Sequence, residues 1–106
     1  MVSQNDTPAV TVQVEDDPAA NRWVARVTGS GEIAGIAQYV RTDGLVTFVH
    51  TEVDPAYEGR GVGSSLVRAS LDAVREQGVS VLPICPFYQR WMDTHSDYQD
   101  LDYRRH

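Results

Sequence analysis

The clearest chemical signal in this chain is the stretch Tyr57-Glu58-Gly59-Arg60-Gly61-Val62-Gly63-Ser64-Ser65-Leu66. Three glycines at alternate positions remove Cβ atoms where a backbone must turn tightly and approach something closely. A helical pattern starts at once, so several amide N–H groups have no intrahelical partner and point outward. Free amides and the helix dipole both favour negative charge, so the turn can hold phosphate or can be simple punctuation. Cys85 stands at the start of a second helical pattern. A thiolate is favoured there, which makes it a nucleophile candidate; its other reading is a small buried apolar residue. His50 and Glu52 lie two residues apart on one strand. Either can take a proton, or the histidine can simply hydrogen-bond in a partly exposed sheet. Tyr88 and Tyr98 offer phenols that can donate a proton, or aromatic surface to pack. His95 joins that cluster or caps the short helix.

Composition removes several alternatives. All nine basic residues other than histidine are arginine, so a lysine nucleophile, a Schiff base and a lysine-bearing P-loop are excluded. The dinucleotide fingerprint fails because Ser64 stands where its third glycine belongs. A net charge of −6 argues against general nucleic-acid binding and suits a basic small molecule or peptide better. One cysteine forms no internal disulfide and is compatible with a reducing compartment. No apolar run is long enough to span a membrane, and the N-terminus lacks the basic and apolar regions of a secretory signal, so a cytoplasmic location is expected.

The elements that must position these residues follow from periodicity. Residues 1–9 read as a flexible N-terminus and 10–106 as a single domain. Strict alternation predicts a strand over Val10–Glu15, and further strands over Arg22–Thr28, Glu32–Arg41 and Leu45–Val53, with loops short enough for an antiparallel meander. The fourth strand is expected to place Val46, Phe48, His50 and Glu52 on one face and Leu45, Thr47, Val49, Thr51 and Val53 on the other. Asp54-Pro55 ends it. A helix over about Gly61–Gln77 presents Val62, Leu66, Ser70 and Val74, widened by Val67 and Leu71, with Arg68 and Asp72 able to pair on the solvated face. Gly78 closes it. Val79–Cys85 reads as a fifth strand, parallel to the fourth through a right-handed crossover. Pro83 inside it requires divergence from the fourth strand, which leaves a wedge between them. Pro86–Thr94 reads as a short helix, and 95–106 as an irregular tail.

The strand, glycine turn, amphipathic helix and diverging strand resemble the acetyl-CoA-binding core of GNAT-type N-acetyltransferases. The combination of His50-Thr-Glu-Val53, Tyr57-Glu-Gly-Arg-Gly-Val-Gly63, Val81-Leu-Pro-Ile-Cys-Pro86 and His95-Ser-Asp-Tyr98 looks like the small, single-domain Yjdj-like subgroup, over about residues 32–101. The resemblance implies an α+β fold with a mixed sheet: four antiparallel strands, a long helical crossover to a parallel, diverging fifth strand, and a short C-terminal helix. It implies a pyrophosphate resting on the amides of Gly59, Arg60, Gly61, Val62, Gly63 and Ser64, and a pantetheine arm along the fourth strand near Thr51 and Val53. Two positions depart from the family pattern. Glu58 stands where the turn usually begins with Gln or Arg, and Trp91 where the last helix commonly has Tyr.

The implied activity is acetyl transfer from acetyl-CoA, without a metal, to an amine of a small molecule, protein or peptide. Catalytic candidates are Cys85, His50, Glu52 and Tyr88, and transfer is either direct or through an acetyl-cysteine. A non-catalytic acyl-CoA-binding or protein-interaction module with the same fold is the alternative.

Overall fold

The computed structural model describes residues 9–105. Five strands, β1 (Val12–Asp17), β2 (Arg22–Val27), β3 (Ile33–Thr42), β4 (Leu45–Val53) and β5 (Ser80–Pro83), form one sheet in the order of the chain. The first four pair antiparallel, and β5 pairs parallel to β4. Helix α1 (Val62–Gln77) makes the crossover, and α2 (Pro86–Asp93) follows β5. This is the α+β architecture that the sequence implies. Nearly all of the expected flexible N-terminus lies outside the described residues. Among those described, no helix is long and apolar enough to cross a membrane.

α1 forms because its apolar positions recur at helical spacing, and Gly78 closes it at φ 72°, a left-handed conformation that glycine adopts without strain. Its buried stripe of Val62, Leu66, Val67, Ser70, Leu71 and Val74 meets Trp23, Ala25, Ala37, Tyr39, Val46 and Phe48 of the sheet. Burying side chains such as Leu66 or Leu71 contributes about 1.5–3 kcal/mol each. Arg68 and Asp72 meet through a third residue: Tyr98 donates its hydroxyl to Asp72 at 2.7 Å, and Arg68 donates to that hydroxyl oxygen at 3.4 Å.

The fourth strand departs from simple alternation. Gln38 pairs with His50 but Tyr39 with Phe48, so β4 carries one extra residue, Val49. A bulge of this kind reverses which residues face inward. Val46 and Phe48 are buried beneath the helices. Beyond Val49, Thr51 and Val53 take that side, opposite Ala37 and Gly35, while His50 and Glu52 are exposed opposite Gln38 and Ile36. The expected shared face of Phe48, His50 and Glu52 is therefore corrected by one inserted residue.

β5 is shorter than expected because its ladder with β4 ends at the Phe48–Pro83 pair. The amides of Ile84 and Cys85 both donate to the Phe48 carbonyl, at 3.0 and 2.8 Å, and the chain then turns into α2 while β4 runs on to Val53. The tail is more ordered than expected. It forms 3-10 turns at Ser96–Leu101 and Tyr103–Arg105, and Asp102 bridges to Val81 on the outer edge of β5.

Candidate CoA site and wedge

The glycine turn is built as its residue types require. Gly59 and Gly61 have φ of 74° and 88°, where a Cβ would be strained. Gly61 is the N-cap and supplies no side chain, and the Ser65 N–H donates to its carbonyl at 3.0 Å. The amides of Val62, Gly63 and Ser64 precede that first intrahelical bond and lie at the positive end of α1. They open on a cavity of about 220 Å³ that Gly59, Gly61, Val62, Gly63 and Ser64 line on one side. Val53, Tyr57, Glu58 and Phe87 complete its wall. Glu58 lines this space and does not cap α1, which has no side-chain cap. Thr51 and Arg60 do not line the cavity; the Arg60 guanidinium lies 5.6 Å from the centre of the Tyr57 ring.

Phe87 is a wall residue that periodicity could not single out. A Cβ on Gly63 would come within 2.7 Å of the Phe87 ring, so Gly63 is glycine because α2 packs against the first turn of α1. Gly35 plays the matching part beneath: a Cβ there would lie 2.9 Å from the Glu52 carbonyl oxygen and 3.0 Å from Val62.

The cavity adjoins the place where β4 and β5 separate. The Phe48 carbonyl points toward β5, whereas the Asp54 amide points toward β3, donating to Ala34 at 2.8 Å. Alternation with one inserted residue then turns the main-chain groups of Thr51 and Val53 toward the side that β5 has left. Across the gap, Cys85 is 4% exposed and its sulfur lies 3.3 Å from Thr51 Oγ1, a hydrogen bond in which either atom can donate.

The other predicted residues separate into distinct surroundings. His50 Nε2 and Glu52 lie 3.4 Å apart on the sheet face opposite the one that carries Thr51 and Cys85. Tyr88 is fully buried, stacked on Phe48 at 4.1 Å, with its hydroxyl 2.8 Å from Ser70 Oγ. Burial pushes its phenol well above the ordinary range. Tyr98 is bound to Asp72 and Arg68, and the His95 ring stacks on Trp91 at 3.6 Å with Nδ1 2.6 Å from the Trp91 carbonyl oxygen. No group of three or more His, Cys, Asp or Glu side chains placed to hold a metal occurs among the described residues.

Known proteins match this arrangement. The family model described as GCN5-related N-acetyl-transferase matches residues 22–101. Protein NATD1 of Gallus gallus is 31% identical over 81 residues, covering 76% of this chain and 74% of that protein. Protein NATD1 of Homo sapiens is 30% identical over 81 residues, 76% and 72% of the two chains. The solution structure of a GCN5-like putative N-acetyltransferase from Staphylococcus aureus shares the fold at a TM-score of 0.65, with 21% identity over 85% of this chain and 86% of that one. Rv2747 of Mycobacterium tuberculosis, solved in complex with CoA, superposes at a TM-score of 0.54 with 26% identity, covering 67% of this chain and 46% of that one. The family match spans most of the chain, including the glycine turn, Cys85 and α2, and the chain belongs to the GCN5-related N-acetyltransferase family.

Proposed function

We propose that this chain binds acetyl-CoA at the glycine turn and transfers the acetyl group to an amine, as a small Yjdj-like acetyltransferase of the cytoplasm. The observation that carries the reading is the cavity itself: amides ahead of the first intrahelical bond line one wall, and the end of β4 forms the next. The amides of Gly59 to Ser64 hold the pyrophosphate, with Arg60 adding positive charge nearby. The pantetheine arm then runs along the open main-chain groups of Val53 and Thr51, which brings the thioester to the gap beside Cys85. Fold neighbours solved in complex with CoA support this occupant.

Transfer needs the acceptor nitrogen to bond the acetyl carbon as the C–S bond breaks; the amine gives up a proton and the CoA sulfur receives one. In the direct route an amine attacks the thioester, with His50 or Glu52 relaying the proton to water. In the two-step route Cys85 takes the acetyl group first and the amine attacks the new thioester. The acceptor is a small-molecule, peptide or protein amine.

One observation favours the non-catalytic reading. The His50–Glu52 pair and Cys85 occupy opposite faces of the sheet, so neither of these two bases stands beside the sulfur. Incubation with acetyl-CoA and a panel of amines, followed by mass spectrometry and detection of free CoA, separates the three. An acetyl adduct lost in Cys85→Ala supports two steps. Turnover that survives Cys85→Ala supports direct transfer. CoA binding with neither adduct nor turnover leaves the binding module.

A further inference from the structure

A hydrogen bond links the entrance of the glycine turn to the connection ahead of β3. Tyr57 lines the cavity at the entrance to the turn. Its hydroxyl donates to Glu32 Oε1 at 2.7 Å, twenty-five residues earlier in the chain, at the lip of β3. The carboxylate raises the phenol above its ordinary range, as a hydrogen bond to the protonated form must. Over the Tyr57 ring lies the Arg60 guanidinium, 5.6 Å from the ring centre. The Arg60 carbonyl in turn accepts the Val10 amide at 3.2 Å, ahead of β1. The turn needs such external support. Gly59 and Gly61 sit in left-handed backbone, and no side chain caps α1. Glycine at both positions leaves an intrinsically loose loop, and a loose loop gives up amide alignment that anion binding requires.

We propose that Glu32 and Tyr57 are positioning residues for CoA: the bond between them fixes the Tyr57 wall, and through Arg60 it fixes the amide cradle from Gly59 to Ser64. This rests on the CoA reading above and assigns a task to the β2–β3 connection, which contributes no residue to the cavity. Neither residue reacts. Their contribution is to hold the cradle before the ligand arrives, so it is read as affinity and not as a change in the transfer step.

The test is a double-mutant cycle on CoA affinity. Tyr57→Phe keeps the ring and removes the donor; Glu32→Ala removes the acceptor; Glu32→Gln keeps an acceptor oxygen and loses the charge. Loss of this solvent-exposed hydrogen bond to a carboxylate predicts about a threefold weaker Kd for Tyr57→Phe and for Glu32→Ala. The double variant should be no worse than either single, and Glu32→Gln should recover most of the loss. The ¹⁵N spectra of the unliganded variants supply a second readout, because the amides of Gly59 to Ser64 should move in Tyr57→Phe while those of α2 stay put. Native-like affinity in either single variant, or additive losses in the double, would overturn the proposal. Unmoved turn amides in unliganded Tyr57→Phe would overturn it as well, even if the native chain failed to bind CoA. Failure of the native chain alone to bind CoA would sink the CoA reading while the spectra still decide the strut.

Discussion

Gly63 is glycine for want of room, unlike Gly59 and Gly61, whose left-handed backbone demands it. In Gly63→Ala the new methyl meets the Phe87 ring at 2.7 Å, and that ring lines the cavity. The expected result is a modest stability loss of about 1 kcal/mol together with a clear fall in CoA affinity. Calorimetric titration checks it, and Phe87→Leu in the same chain should restore part of the affinity. The glycine spacing was legible because a tight turn before a helix is local physics. Phe87 was not, since its part depends on α2 folding back against α1. The Glu32–Tyr57 bond was hidden for the same reason: nothing in local pattern links residues twenty-five apart.

At the scale of elements, two close approaches set the site. α2 approaches α1 at Gly63, and α1 approaches the β3–β4 pair at Gly35. The second admits no easy relief, because the nearest atom to a Cβ on Gly35 is the backbone oxygen of Glu52. Gly35→Ala should therefore destabilise the fold by about 1–3 kcal/mol in denaturant unfolding, and lift the first turn of α1 away from β4. The order of the strands and the two α-helices and the parallel crossover were readable from periodicity, and the early end of β5 from Pro83. The bulge was not. Val49-His50-Thr51-Glu52-Val53 alternates without a break in residue type, and only the pairing with β3 shows that one residue is inserted. That insertion moved His50 and Glu52 to the exposed face and brought Thr51 to Cys85. A sequence pattern with mixed polar and apolar residues on both faces specifies register weakly, so tertiary packing decided it.

At the scale of the whole molecule, the tail meets the outer edge of β5 at one isolated bridge, Val81 to Asp102. Asp102 is fully buried beside Val81 and is bound by Arg104 through its backbone amide at 2.9 Å and its guanidinium at 2.6 Å, with Asp93 holding both Arg104 and Arg105. Burial pushes the Asp102 carboxyl up, but the hydrogen bonds and charge of Arg104, backed by Arg105, outweigh it and hold the group below its ordinary value of 3.8. A carboxyl depressed in this way stabilises the folded chain above that value, and the contribution is lost as pH falls through the folded pKa. Asp102→Asn should lower the thermal midpoint at neutral pH, and its difference from the native chain should shrink below about pH 4. A difference that stayed constant across that range would place the cost in packing alone. The sequence had marked this tail as irregular, because short 3-10 turns carry no periodic signal. CoA binding at the glycine turn rests on the amide cradle, which a titration of ¹⁵N-labelled protein with CoA addresses most directly. The largest shifts are predicted at the amides of Gly59 to Ser64, followed by Thr51 and Val53 on the open edge of β4. If those amides stay fixed at millimolar CoA while the chain remains folded, the glycine turn is punctuation and the proposed site does not exist.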